Sequence, residues 1–144
     1  MTSVVTLSCP SCLVTNRVAR DRLGATPKCG RCGQLLFQGV PLVLDQAGFE
    51  RVLANTELPL VVDFWAQWCG PCRMMAPVFE RAAAALEPDF RLVKVDTEAA
   101  PALAQRYQIR SIPTLILFAG GREMARHSGA MDLGSLERWV RSQL

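Results

Sequence analysis

Val61–Cys72 reads VVDFWAQWCGPC, and the fold turns on this stretch. The apolar run VVDFW has the composition of a strand buried on both faces, broken only by Asp63. It leads directly into Cys69 and Cys72, two cysteines separated by two residues, and the MMAPVFERAAAALE that follows has the length and composition of a helix. Cys69 is therefore expected at a helix N-terminus, where unpaired backbone N–H groups and the helix dipole favour negative charge. A thiol placed there is more acidic than the ~8.5 of free cysteine. Because the thiolate is the attacking species in disulfide exchange, redox chemistry at Cys69 and Cys72 is the expectation. The spacing alone is also that of half a zinc site. The strand before it, the helix after it and the flanking Trp65 and Trp68 favour the redox reading.

Working outward, the helix should run from Cys69 to Leu86, kinked by Pro77. Arg91 to Val95 reads as a strand and Ala99 to Tyr107 as a short helix. Thr114 to Ala119 and Arg122 to His127 read as a hairpin turning at Gly120-Gly121. Asp132 caps a closing amphipathic helix with Leu133, Leu136 and Val140 at helical spacing. On the other side, Val40 to Leu44 is a short strand, and Asp45 caps a helix over Gln46 to Ala54. This is an α/β pattern, a central mixed sheet flanked by helices on both faces.

Before Gly39 the pattern differs. Cys9 and Cys12 are followed, after sixteen residues, by Cys29 and Cys32, a spacing within the window for a four-cysteine zinc site. Both pairs lie in turn-forming sequence, CPSC and CGRC, and two such knuckles can bring four soft ligands to one tetrahedral Zn²⁺. A segment of this length with little core of its own also needs a staple. Buried free thiols or a second redox pair are the alternatives. The expected division is a zinc-binding module at 1–39 and an α/β domain at 40–144.

Half of the 144 residues are hydrophobic, enough for a core, yet no run approaches the ~18 apolar residues of a membrane span. The opening MTSVVTLSCPSC shows no basic segment followed by an apolar core, so no signal peptide is expected. The expected compartment is the cytoplasm, where the N-terminal thiols stay reduced. Residues 1–40 carry five basic residues against one acidic, a net +4, and residues 41–144 carry eleven against twelve, a net −1. Four thiolates around one Zn²⁺ would bring the module to about +2, a mild bias, and nucleic-acid binding is not expected.

On DFWAQWCGPC, on Pro77, on SIPT at Ser111–Thr114 and on Gly129, residues from about Val40 to Leu144 resemble the thioredoxin family. The four-cysteine extension is similar to that of the zinc-binding bacterial thioredoxin 2 subtype. Gln67, where relatives often carry Glu, Pro or Ser, leaves the motif intact. The resemblance implies a protein-disulfide reductase with an exposed nucleophile at Cys69 and a shielded resolving thiol at Cys72. Gly70 would let the substrate chain approach, and Pro71 would rigidify the loop, the Gly-Pro pair resembling reducing members. Asp63 is an anomaly in its strand, since burial raises a carboxyl pKa towards neutrality. By resemblance it is the base for Cys72, with Lys94 as a modulating charge; a salt-bridged edge-strand aspartate is the alternative. The resemblance also implies a cis bond at Pro113, backbone pairing of substrate with Ile112, and an apolar docking surface of Trp68, Ile112, Gly129 and Ala130. Expected partners are disulfide-containing proteins and an NADPH-dependent flavin reductase, thioredoxin reductase, with the chain itself a monomer. Competing readings are an oxidant or isomerase, disfavoured by Gly-Pro, and a zinc-ribbon adaptor or redox-sensing holdase. His127 reads as a surface strand residue, Met74 and Met75 as core, and Arg73 as a positive rim.

Overall fold

The computed structural model describes residues 3–144. Two sheets organise them. The smaller is a hairpin of β1 (Val4–Ser8) and β2 (Thr15–Ala19), with Val5 opposite Val18 and Leu7 opposite Asn16. A single 3₁₀ turn at Arg20–Arg22 follows, and a Lys28–Leu35 bridge closes the second cysteine loop. Val5, Leu7, Cys9, Leu23, Cys29 and Leu36 are buried together in a small core of their own, which Leu58 of the larger unit enters.

The larger sheet has five strands in the order β3-β5-β4-β6-β7. They are β3 (Leu42–Val43), β4 (Leu60–Trp65), β5 (Arg91–Asp96), β6 (Thr114–Ala119) and β7 (Arg122–Ser128). β3 and β4 both lie parallel to β5, whereas β6 pairs antiparallel with β4 and β7. Strand β4 is thus central, and residues 60–64 are buried as a near-continuous apolar sequence requires. The expected strand Val40–Leu44 shortens to two residues. Pro41 has no N–H for the ladder and Val43 is an exposed edge position, although the Leu44 N–H still reaches the Lys94 carbonyl at 3.1 Å. Gly120 and Gly121, both at positive φ, form the two-residue turn that matches the twist of a hairpin.

Four helices cover the two faces. On one lie α1 (Gln46–Asn55) and α3 (Pro101–Arg106), packing Phe49, Val52 and Leu103 on Val62, Phe64, Val93 and Val95. On the other lie α2 (Gly70–Leu86) and α4 (Leu133–Ser142), packing Met75, Phe79, Leu86, Leu136 and Val140 on Val61, Leu92, Leu115 and Leu117. Asp45 and Asp132 cap α1 and α4 as expected, each accepting a backbone N–H, from Gly48 at 2.7 Å and Ser135 at 2.8 Å. Pro77 and Arg73, whose carbonyl loses its intrahelical donor to the proline, are both exposed residues of α2. Among the described residues no helix is long and apolar enough to cross a membrane.

Candidate functional site

Strand β4 ends at Trp65, and four residues later Cys69 begins the next element as the N-cap of α2. Its sulfur accepts the Cys72 N–H at 3.2 Å, an interaction that favours the thiolate, and lies 3.5 Å from the Ile112 carbonyl oxygen. Cys69 and Cys72 are joined as a disulfide with their Cα atoms 5.2 Å apart. Pro71 occupies the first turn of α2, where its missing N–H costs nothing, and no atom lies within 4 Å of where a Gly70 side chain would start. The expectation of an exposed Cys69 does not hold in this disulfide form. It is 4 % exposed and Cys72 2 %, because the Cys69 sulfur is tucked between the Cys72 amide and the Ile112 carbonyl.

Asp63 is buried at 1 % exposure on the central strand, paired in register with Lys94 on one side and Leu115 on the other. Among the described residues neither carboxylate oxygen has a hydrogen-bond partner and no salt bridge reaches it, and its strand is central, so the edge-strand alternative is excluded. Burial pushes its carboxyl up to about 7, with the Lys94 charge pulling weakly the other way. The geometry explains where this proton site points. Alternation puts Asp63 on the same sheet face as Val61, which is the face covered by α2. Cys72 belongs to the buried stripe of α2 with Met75 and Phe79, so the second cysteine and the partnerless carboxyl share one packed layer. Lys94 lies over the Trp65 ring, 4.3 Å from its centroid, on that same face.

Around the disulfide, the Ile112–Pro113 bond is cis, as expected. Pro113 is buried, its carbonyl accepting the Gly129 N–H at 2.9 Å, which brings the loop carrying Gly129 and exposed Ala130 alongside. Gly129 has φ 101°, a conformation reserved for glycine. Trp68 is 68 % exposed, and with Thr97, Ala104, Ile109, Arg110, Ser111 and Ile112 it lines a shallow recess of about 310 Å³. One contact had no signal in the sequence: the Trp68 indole N–H donates to Glu98 Oε1 at 2.7 Å, a loop residue thirty positions away. Met74, expected in the core, is 76 % exposed beside the site, while Met75 is buried; neighbours on a helix point about 100° apart. His127 is a half-buried residue of β7 with its ring against Trp139 at 6.1 Å.

The other four cysteines converge elsewhere. All four Sγ atoms of Cys9, Cys12, Cys29 and Cys32 lie within 4.8 Å of one another, with Cys9–Cys32 at 3.6 Å and Cys12–Cys29 at 3.7 Å. Metal–sulfur bonds of ~2.3 Å in a tetrahedron place sulfurs ~3.8 Å apart, so the cluster fits one metal ion. Each knuckle also supplies donors to its sulfur. Ser11 and Cys12 N–H point at Cys9, and Arg31 and Cys32 N–H with the Asn16 amide point at Cys29. The Cys32 N–H, then the Asn16 amide, lower the Cys29 thiol, whereas Cys32, despite the Gln34 N–H, is raised by desolvation and by the other three thiols.

Sequence comparisons cover both regions of the chain. Residues 40–142 match the family model Thioredoxin, and residues 8–34 match the model described as Thioredoxin 2, N-terminal, a zinc ribbon. Thioredoxin C-3 of Corynebacterium nephridii is 43 % identical over 136 residues, 94 % of this chain and 93 % of that one. A thioredoxin of Synechocystis sp. is 46 % identical over 100 residues, 69 % of this chain and 92 % of its own. Among solved structures, a mutant thioredoxin from Halobacterium salinarum NRC-1 superposes with a TM-score of 0.66 at 34 % identity, covering 73 % of this chain and 91 % of that one. With similarity that extends over nearly its whole length, the chain belongs to the thioredoxin family of thiol-disulfide oxidoreductases and carries the N-terminal ribbon of the thioredoxin 2 subtype.

Proposed function

We propose that the chain is a cytoplasmic protein-disulfide reductase, recharged by an NADPH-dependent thioredoxin reductase. Residues 40–144 form its catalytic domain and residues 1–39 a structural zinc module; residues 1 and 2 lie outside the described residues. The Cys69 thiolate attacks one sulfur of a substrate disulfide, that bond breaks, and the departing substrate thiolate takes up a proton. Cys72 then loses its proton and attacks Cys69 Sγ, which releases the second substrate thiol and closes the Cys69–Cys72 disulfide. Two electrons pass from the protein dithiol to the substrate, and the reductase returns them from NADPH.

Asp63 receives the Cys72 proton, directly or through a water, and Lys94 keeps its affinity from rising further. Trp68, Ile112, Pro113, Gly129 and Ala130 form the docking surface, with the Ile112 backbone pairing to an extended substrate segment. The observation that carries this reading is the partnerless, buried Asp63 beneath the helix N-terminus that bears the cysteine pair. Cys9, Cys12, Cys29 and Cys32 would hold the Zn²⁺, which supplies folding energy to the module; a closed set of four sulfurs leaves no open position for a substrate. Insulin reduction with thioredoxin reductase and NADPH tests the whole reading. NADPH should be consumed only when chain, reductase and insulin are all present, and no consumption with folded, reducible protein would overturn it.

A further inference from the structure

Among the described residues the module is hydrogen-bonded to the catalytic domain at two places, and Leu13 packs against the core of the larger sheet. On one, β1 meets the loop after α1: Thr6 N–H donates to Glu57 Oε1 at 2.6 Å, Glu57 N–H to the Thr6 carbonyl at 2.7 Å, and Ser8 N–H to Thr56 Oγ1 at 3.2 Å. The other is built on Arg91, the first residue of β5, whose side chain is 1 % exposed. Its Nη1 pairs with Glu87 Oε2 at 3.1 Å and its Nη2 donates to the Leu36 carbonyl at 2.7 Å. Its guanidinium carbon lies 4.8 Å from the centroid of the Phe37 ring. Glu87, itself 6 % exposed, uses its other oxygen to accept the Gly39 N–H at 2.8 Å. A buried ion pair of this kind holds its members at a desolvation cost that only its hydrogen bonds and cover offset. On the module's side the segment Leu36–Gly39 supplies the hydrogen-bond partners and the ring against the pair, and Cys9 lies near enough to Arg91 to favour its charge.

That segment depends on the second cysteine loop. Leu36 N–H is bonded to the Pro27 carbonyl at 2.9 Å and Cys29 N–H to the Gln34 carbonyl at 2.8 Å, so the strands leading into and out of Cys29 and Cys32 present Leu36 to Arg91. We propose that the Arg91–Glu87 pair is a latch that fixes the orientation of the four-cysteine module on the thioredoxin domain and opens when the module loses its metal. Without a metal bridging them the two knuckles lose the bonds that hold their four sulfurs within 4.8 Å of one another, and the loop that carries Leu36 opens with them. Arg91 and Glu87 then regain water, so release leaves no orphaned charge in the catalytic domain. The Thr6–Glu57 anchor remains as the hinge. The ion pair thus specifies geometry and makes undocking reversible, a role that the apolar contacts around Leu58 do not fill.

Residual dipolar couplings and amide exchange test this on the full chain, with metal content measured in every sample. In zinc-loaded wild type, residues 8–34 and 60–142 should fit one alignment tensor, and the Gly39 amide should be protected. After chelation Gly39 protection should be lost while β4 and β5 amides keep theirs. Zinc-loaded Arg91→Ala should retain its zinc yet need two tensors, and Arg91→Lys, which keeps the charge but not the fork to Leu36 and Glu87, should show the same loss more weakly. A single unchanged tensor in either folded variant, or a protected Gly39 amide after chelation, would overturn the latch.

Discussion

The chain carries the C-x-x-C spacing three times, and the same spacing does two different things. At CGPC the pair begins a helix, the two sulfurs face each other alone, and an apolar layer with one carboxyl lies beneath. At CPSC and CGRC each pair begins a knuckle whose amides point at sulfur, and the two knuckles face one another across less than 4.8 Å. Spacing therefore sets only how far apart two sulfurs can be. The backbone that presents them, and the presence or absence of a second pair, decides whether they exchange electrons or hold a metal.

If that division is right, the largest effect belongs to the helix pair. Cys69→Ser should reduce insulin turnover to background and trap no partner, whereas Cys72→Ser should accumulate mixed disulfides resolvable by non-reducing electrophoresis. Equal trapping by both would remove the distinction between nucleophile and resolver. Next in size is metal removal. Structural Zn²⁺ sites contribute on the order of 10 kcal/mol of local folding energy, so the quadruple Cys→Ser variant should lose the dispersed amide signals of residues 8–34. Insulin reduction should persist, since Met75, Phe79, Leu92 and Leu117 build the catalytic core without the module. A folded variant that no longer reduces insulin would show the two regions to be functionally joined.

Asp63 gives an intermediate effect with a definite sign in pH. Its folded-state pKa, about 7, lies above the ordinary 3.8, so its proton is bound more tightly in the folded chain. Its contribution to stability is complete below about pH 4 and is lost as pH rises through about 7, a change of about 4 kcal/mol. Asp63→Asn should therefore be more stable than wild type by about 4 kcal/mol near pH 8, with the gain vanishing near pH 4, as read by urea unfolding. The same variant should slow resolution of the mixed disulfide by about 100-fold. Turnover that stays at the wild-type rate across neutral pH would take Asp63 out of the mechanism.

Much of this was legible locally. Strand Leu60–Trp65 and the caps Asp45 and Asp132 follow from composition and from the chemistry of short acceptors at helix starts, both of which act over a few residues. What escaped the sequence acts over long separations. Glu87 and Arg91 are spaced like an ordinary surface pair, and nothing nearby announces that Leu36, fifty-five residues away, covers them. Glu98 reaches Trp68 in the same unannounced way. Met74 and the burial of Cys69 were misjudged because family resemblance and apolar character do not say which way a side chain turns on a helix or in a ring. The smallest expected effects come from this rim. Trp68→Ala should raise the KM for insulin roughly tenfold with kcat little changed, as the loss of one exposed aromatic anchor implies. Glu98→Ala, which only frees the indole N–H, should cost under about 1 kcal/mol of transition-state binding, read from kcat/KM.

The contrast between the two kinds of cysteine pair can be measured in one reaction. Reduced, zinc-loaded protein treated briefly with limiting iodoacetamide at neutral pH, then digested and weighed by mass spectrometry, reports which thiolate is free to attack. Alkylation is expected at Cys69 first, with Cys9, Cys12, Cys29 and Cys32 unmodified until a chelator is added. Alkylation of exposed Cys32, or of any module cysteine, as fast as Cys69 while zinc is bound would contradict it.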